Sequence, residues 1–76
     1  MYIISIVIEE RTKEAVRVQE VLTKFGNNII SRLGLHNPEP NENDIIIVAY
    51  NNKSTIEDFR KELEEIKNIR VNIMEA

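Results

Sequence analysis

Residues 27–37 read NNIISRLGLHN, and the fold turns on reading this stretch as a strand. Ile29, Ile30, Leu33 and Leu35 supply the apolar run of a sheet element, and Arg32 and Gly34 interrupt it. A strand buried on both faces excludes arginine, and glycine inside a strand loses backbone entropy while offering no side chain to pack. The interruptions therefore fit an edge strand, where charge and broken packing deter pairing with other chains.

Working outward, the preceding residues change period. Ala15, Val18, Leu22 and Phe25 fall at helical intervals, with Thr12 as the N-cap and Gly26 as the stop, so a helix of about three to four turns is expected. Before it, YIISIVI at 2–8 carries β-branched residues on both alternating sides, as in a covered strand. On the other side, NPEPNEND at 37–44 concentrates proline, asparagine and acid into a loop, and DIIIVAY at 44–50 is again apolar on both sides. NNKS then turns into a helix whose Ser54 and Glu57 have capping-box spacing and whose Ile56, Phe59, Leu63 and Ile66 form one stripe. Asn68 offers a left-handed exit, and IRVNIME at 69–75 alternates as a last strand.

The order is βαββαβ. Two βαβ units with right-handed crossovers give an α+β, ferredoxin-like sandwich: a four-stranded antiparallel sheet with both helices on one face. Its strand order is 4-1-3-2, so the two most apolar strands are central. The strands bearing Arg32 and Gly34, and Arg70 and Asn72, are edges.

A chain of 76 residues is expected to form one domain over 1–76 with a marginal core, because about 60% of the unfolded surface is buried at this size. It has no cysteine, which removes disulfides and thiolate metal sites. No signal peptide opens it and no apolar run approaches the roughly 18 residues of a membrane span, so a soluble cytoplasmic protein is expected. Net charge is −3 with both signs interspersed, which provides no basic field for nucleic acid. The charge-rich EDFRKELEEIK at 57–67 is the solvated side of the second helix.

Two helices cover one side of a sheet, yet neither side here is polar. The first strand offers Ile4, Ile6 and Ile8 against Ile3, Ser5 and Val7; the third offers Ile45, Ile47 and Ala49 against Ile46, Val48 and Tyr50. An uncovered apolar face marks an interface, and a second copy about a two-fold axis is the commonest occupant. The expected interface comprises Ile3, Ser5, Val7, Ile30, Arg32, Gly34, Ile46, Val48 and Tyr50. Three readings of Arg32 and Gly34 stand side by side. They are an edge guard with a bulge or bend at the glycine, an interface pair, or an anion site between subunits. The interface reading requires Ile29, Leu33 and Leu35 to face the core.

These residues resemble a family of small iron-only hydrogenase system regulators, which share an ACT-like ferredoxin fold with the C-terminal domain of nickel-responsive repressors. The resemblance covers essentially the whole chain: IISIVIEE, the first helix, NNIISRLGL with Ile29, Arg32 and Gly34 in I-x-x-R-x-G spacing, the proline-containing loop, DIIIVAY, and the last helix and strand. It implies a regulatory domain that forms homodimers or homotetramers. It also brings in a hydrogenase-maturation or other regulatory protein as a further partner.

Departures from the pattern matter as well. Nickel-responsive repressors carry a ribbon-helix-helix segment before this domain, whereas this sequence starts at the first strand, so direct DNA binding is not expected. Their nickel site uses several histidines and a cysteine; here there is one histidine, His36, too few for an imidazole-rich site in one subunit. Amino-acid-sensing ACT domains place glycine or aspartate at the first strand-helix turn, where this chain has EERTK, Glu9 to Lys13. Its acids repel a carboxylate, although Arg11 and Lys13 keep that ligand class open. Acylphosphatases share the topology but need a glycine-rich, arginine-bearing turn there. No nucleophile stands beside a base at a recognisable spacing, so no catalytic, cofactor-binding or metal residue is assigned and no enzyme is expected. The alternative reading is a small-molecule or metal sensor with its ligand between subunits.

Overall fold

The structure, a computed structural model, describes residues 1–9, 11–36 and 43–76. Burial along β1 (Tyr2–Ile8) alternates: Ile4, Ile6 and Ile8 are buried, and Ile3, Ser5 and Val7 are half-covered. This is the period-2 signature of a strand with one face on the core. After β1 come α1 (Arg11–Lys24), a 3-10 turn (Gly26–Asn28), β2 (Ile29–Leu35), β3 (Asp44–Tyr50), α2 (Ile56–Glu64) and β4 (Ile69–Glu75). All pairings are antiparallel, and the order β2-β3-β1-β4 makes β1 and β3 central and β2 and β4 edges. This is the ferredoxin-like arrangement expected from the order of elements. The loop expected at 37–44 lies outside the described residues as far as 42, as do Glu10 and the side chains of Arg11, Thr12 and Lys13, including the cap expected at Thr12.

One core joins the helices to one face of the sheet. Val18 and Leu22 of α1 and Ile56, Phe59 and Leu63 of α2 pack with Ile66, Ile4, Ile6, Ile8, Ile46, Val48 and Tyr50. Phe59 stacks on Tyr50 with ring centroids 4.7 Å apart and planes 9° from parallel, and Phe25 tilts against it at 5.1 Å. The Tyr50 ring is fully buried, but its hydroxyl shares a 2.7 Å hydrogen bond with Thr55 Oγ1 and accepts from Asn28 Nδ2 at 3.4 Å. A buried tyrosine needs such a partner, because an unpaired buried hydroxyl costs about 1–3 kcal/mol.

The helix boundaries depart from the expected signals in two places. Gly26 does not close α1 in the left-handed conformation: neither glycine has a positive φ, and the chain leaves α1 through the 3-10 turn. The Ser54–Glu57 capping box does not form, because the helix begins beyond Ser54, with Thr55 at its cap and no side-chain bond there. Asn52 takes the role instead. Its Oδ1 accepts from the backbone N–H of Ser54 at 2.9 Å and of Thr55 at 3.2 Å, and its carbonyl accepts from Ile56 N–H at 3.1 Å. An asparagine side chain folds back on the backbone two residues on, which suits the turn better than a serine inside it. Asn52 Nδ2 also donates to Asn28 Oδ1 at 3.1 Å, tying the 3-10 turn to the start of α2. Replacing Asn52 with alanine is expected to cost about 1–2 kcal/mol, the upper range of a lost cap. A urea titration will read it as a lower midpoint with an unchanged slope. At the other end of α2, Asn68 adopts φ 62°, the left-handed exit that asparagine tolerates.

Candidate oligomer interface

The sheet face away from the helices is laid out by the strand registers in three rows. Leu35, Ile45, Val7 and Arg70 form one; Leu33, Ile47, Ser5 and Asn72 the next; Ser31, Ala49, Ile3 and Met74 the third. Eight of these twelve side chains are apolar; of the polar four, Arg70 and Asn72 lie on β4, Ser5 on β1 and Ser31 on β2. Leu33 and Met74 are 57% and 62% exposed. Contiguous apolar surface of this kind is characteristic of an interaction site, whereas single exposed hydrophobes are ordinary. Arg70 closes one margin through an ion pair with Glu9 at 3.2 Å.

The structure keeps three of the nine expected interface residues on this face and moves five. Ile3, Ser5 and Val7 of β1 lie on it. Ile46, Val48 and Tyr50 do not: they are buried beneath the helices, at 6%, 0% and 0% exposure. Odd-numbered residues of β1 pair with odd-numbered residues of β3, so Ile45, Ile47 and Ala49 take the places assigned to their neighbours. Arg32 and Gly34 also change sides, pairing with Val48 and Ile46 on the helix side of the sheet. The cause is a β-bulge between Ile29 and Ser31. An extra residue there reverses the alternation, so Ile29 packs on the core while Leu33 and Leu35 face away from it. The bulge is at Ile29–Ser31 and not at Gly34, where pairing is regular. Ile30 sits within the irregular stretch and is exposed.

Arg32 Nη2 donates to Gln19 Oε1 of α1 at 2.8 Å, at an exposed position. His36 Nδ1 lies 3.1 Å from Asp44 Oδ1 at the base of the β2–β3 connection and is largely exposed. An open cleft of about 530 Å³ between the ends of α1 and α2 is lined by Lys24, Phe25, Asp58, Lys61, Glu62 and Glu65. Lys24 is engaged there, 2.8 Å from Glu62 Oε2 and over the Phe25 ring. Among the described residues, no three His, Cys, Asp or Glu side chains converge as a metal site, and no helix is long and apolar enough to cross a membrane.

Comparison with known proteins fits this geometry to a family. Residues 1–73 match the model of the TM1266-like family, described as "Iron-only hydrogenase system regulator, putative". The uncharacterized protein TM1266 from Thermotoga maritima is similar at 33% identity with a TM-score of 0.82, over 96% of this chain and 91% of that one. Two more distant structures share the fold alone. An unknown protein from Galdieria sulphuraria is 15% identical with a TM-score of 0.67, matched over 99% of this chain and 44% of its own. A formyltetrahydrofolate deformylase from Pseudomonas putida is 10% identical with a TM-score of 0.66, matched over 99% of this chain and 28% of its own. No curated protein matches the chain.

Proposed function

The chain belongs to the TM1266-like family of iron-only hydrogenase system regulators, and from that premise we propose that it is a non-enzymatic regulatory module that assembles with copies of itself through the open sheet face. The observation that carries this reading is the three-row apolar surface formed by Ile3, Val7, Leu33, Leu35, Ile45, Ile47, Ala49 and Met74, which no helix of the chain covers. A small domain gains most from such an assembly, since its own core is close to the minimum for independent stability.

A two-fold axis lying in the plane of this face lets the same surface meet itself, and Arg70 and Asn72 along β4 stay at the rim, where charges cost least. The net charge of −3 gives the surface no basic field for nucleic acid, so the module acts on its system through protein contacts in the cytoplasm. Light scattering behind a sizing column tests the assembly. A mass of two or four times the 8.9 kDa chain is expected across a hundredfold dilution. A mass of one chain throughout the series would overturn the reading.

A further inference from the structure

The open face carries a pattern in size and polarity as well as being apolar. Leu35 and Ile45 at one end of β2 and β3 are bulky, whereas Ser31 and Ala49 at the other end are small. Ser5 and Asn72 lie side by side in the middle row, and Arg70, paired with Glu9, occupies one corner. Such a pattern discriminates among the ways in which the face can meet its own copy.

Area fixes the centre of the contact. Four strands of seven residues present a face of roughly 19 by 24 Å, a footprint of about 450 Å², against the ~800 Å² per partner of a standard interface. None of the face can be spared, so the two-fold axis passes through its middle, between Ile47 and Ser5. Face-to-face sheets pack aligned or orthogonal, which leaves four directions for an axis in the plane: along the strands, across them, or on either diagonal. Along the strands, β2 faces β4, which sets Arg70 against Leu35 and the Asn72 amide against Leu33 of the other copy. One diagonal lays Arg70 on Arg70. The other lays Asn72 over Ala49 and Ile3. Each of these three either opposes like charges or strips water from a polar group without supplying a partner.

Given assembly through the open face, on which this geometry rests, we infer that the axis runs across the strands along the middle row, so that each strand faces its own copy and runs antiparallel to it. Asn72 then faces Asn72, each amide offering the other a donor and an acceptor, and Ser5 faces Ser5. Arg70 falls beside Met74 of the other copy, which keeps the two guanidinium groups at opposite ends of the β4 pair. Leu35 falls over Ser31 and Ile45 over Ala49, large against small, as interdigitating layers require. Val7 falls over Ile3, and Leu33 and Ile47 meet their own copies. The twist of each sheet turns the two about 30° apart, so the matches are closest on the central strands β1 and β3.

Two sets of variants test the direction of the axis, with light scattering reporting mass and circular dichroism the fold. I45K and A49D each press a charge onto the other copy, and each alone is expected to have the mass of one chain. Mixed, they are expected to have the mass of two, because positions 45 and 49 face each other across the axis. Failure of that mixture to gain mass, or rescue of I45K by V7D in its place, would overturn the inference; the second result would turn the axis along the strands. The chain has no cysteine, so N72C, at an exposed position on β4, reports independently. A bis-maleimide just long enough to bridge sheets about 10 Å apart is expected to join N72C to itself. Joining only when N72C is mixed with L33C, in protein that still has the mass of an assembly, would overturn the inference and leave the open-face contact standing. A parental chain with the mass of one copy at every concentration would overturn both.

Discussion

Ile47→Asp is expected to weaken assembly through the open face about a thousandfold while leaving the fold of each chain intact. Ile47 stands between Leu33 and Ser5 in the middle row, on a central strand. It is half-exposed in the single chain, so an aspartate carboxylate there reaches water as long as no partner covers it. Once a partner does, the carboxylate loses that hydration and gains no cation, because Arg70 lies in the adjacent row on the far side of Val7. A central interface residue of this kind is worth ~2 kcal/mol or more. Two-fold symmetry applies the loss twice, about 4 kcal/mol, or three decades in dissociation constant. The measurement is the mass by light scattering over a dilution series, with circular dichroism as the check on folding. A folded variant with the parental mass would show that this face is not the contact.

The same residue illustrates what could and could not be read from the sequence. The bounds of β1, β3 and β4, the apolar stripe of α2 and the left-handed exit at Asn68 were legible, because each rests on local periodicity or on the conformational tolerance of one residue type. The identity of the open face was not. β1 and β3 are both apolar on both sides, and they are neighbours in space without being joined by a turn, so no hairpin fixed their register. Ser5 held the usable signal: it is the polar residue within β1, it belongs on the uncovered side, and every residue paired in its row belongs there with it. For β2 even that would have misled, since the bulge at Ile29–Ser31 reverses the alternation within the strand. Bulges have no short sequence signature when the residues involved are Ile, Ile and Ser. Arg32 and Gly34, expected on the open face, lie on the helix side of the sheet because of that bulge.

Phe59→Ala is expected to unfold the isolated chain at room temperature, and the effect should depend on protein concentration. Phe59 is fully buried, stacked on Tyr50 and tilted against Phe25. It links the centre of the sheet to both helices. Removing a buried phenylalanine costs about 3–5 kcal/mol through lost transfer energy and the cavity left behind. A chain of this length has about 4–11 kcal/mol in total, at roughly 0.05–0.15 kcal/mol per residue. The substitution therefore removes from about a quarter to all of the margin, and the small core of a chain this short places it toward the upper end. Tyr50 suffers with it, since its ring loses the stacking partner that keeps its hydroxyl aligned with Thr55 and Asn28. Phe59→Leu keeps much of the volume and is expected to remain folded with a lower melting temperature. If folding and assembly are coupled, raising the concentration draws unfolded chains into the assembled state, and the melting temperature of Phe59→Leu climbs with concentration. Calorimetry at two concentrations a hundredfold apart separates the cases. A concentration-independent transition would mean that each chain folds to its full stability alone, and the marginal core would then give the open sheet face no thermodynamic reason to be covered.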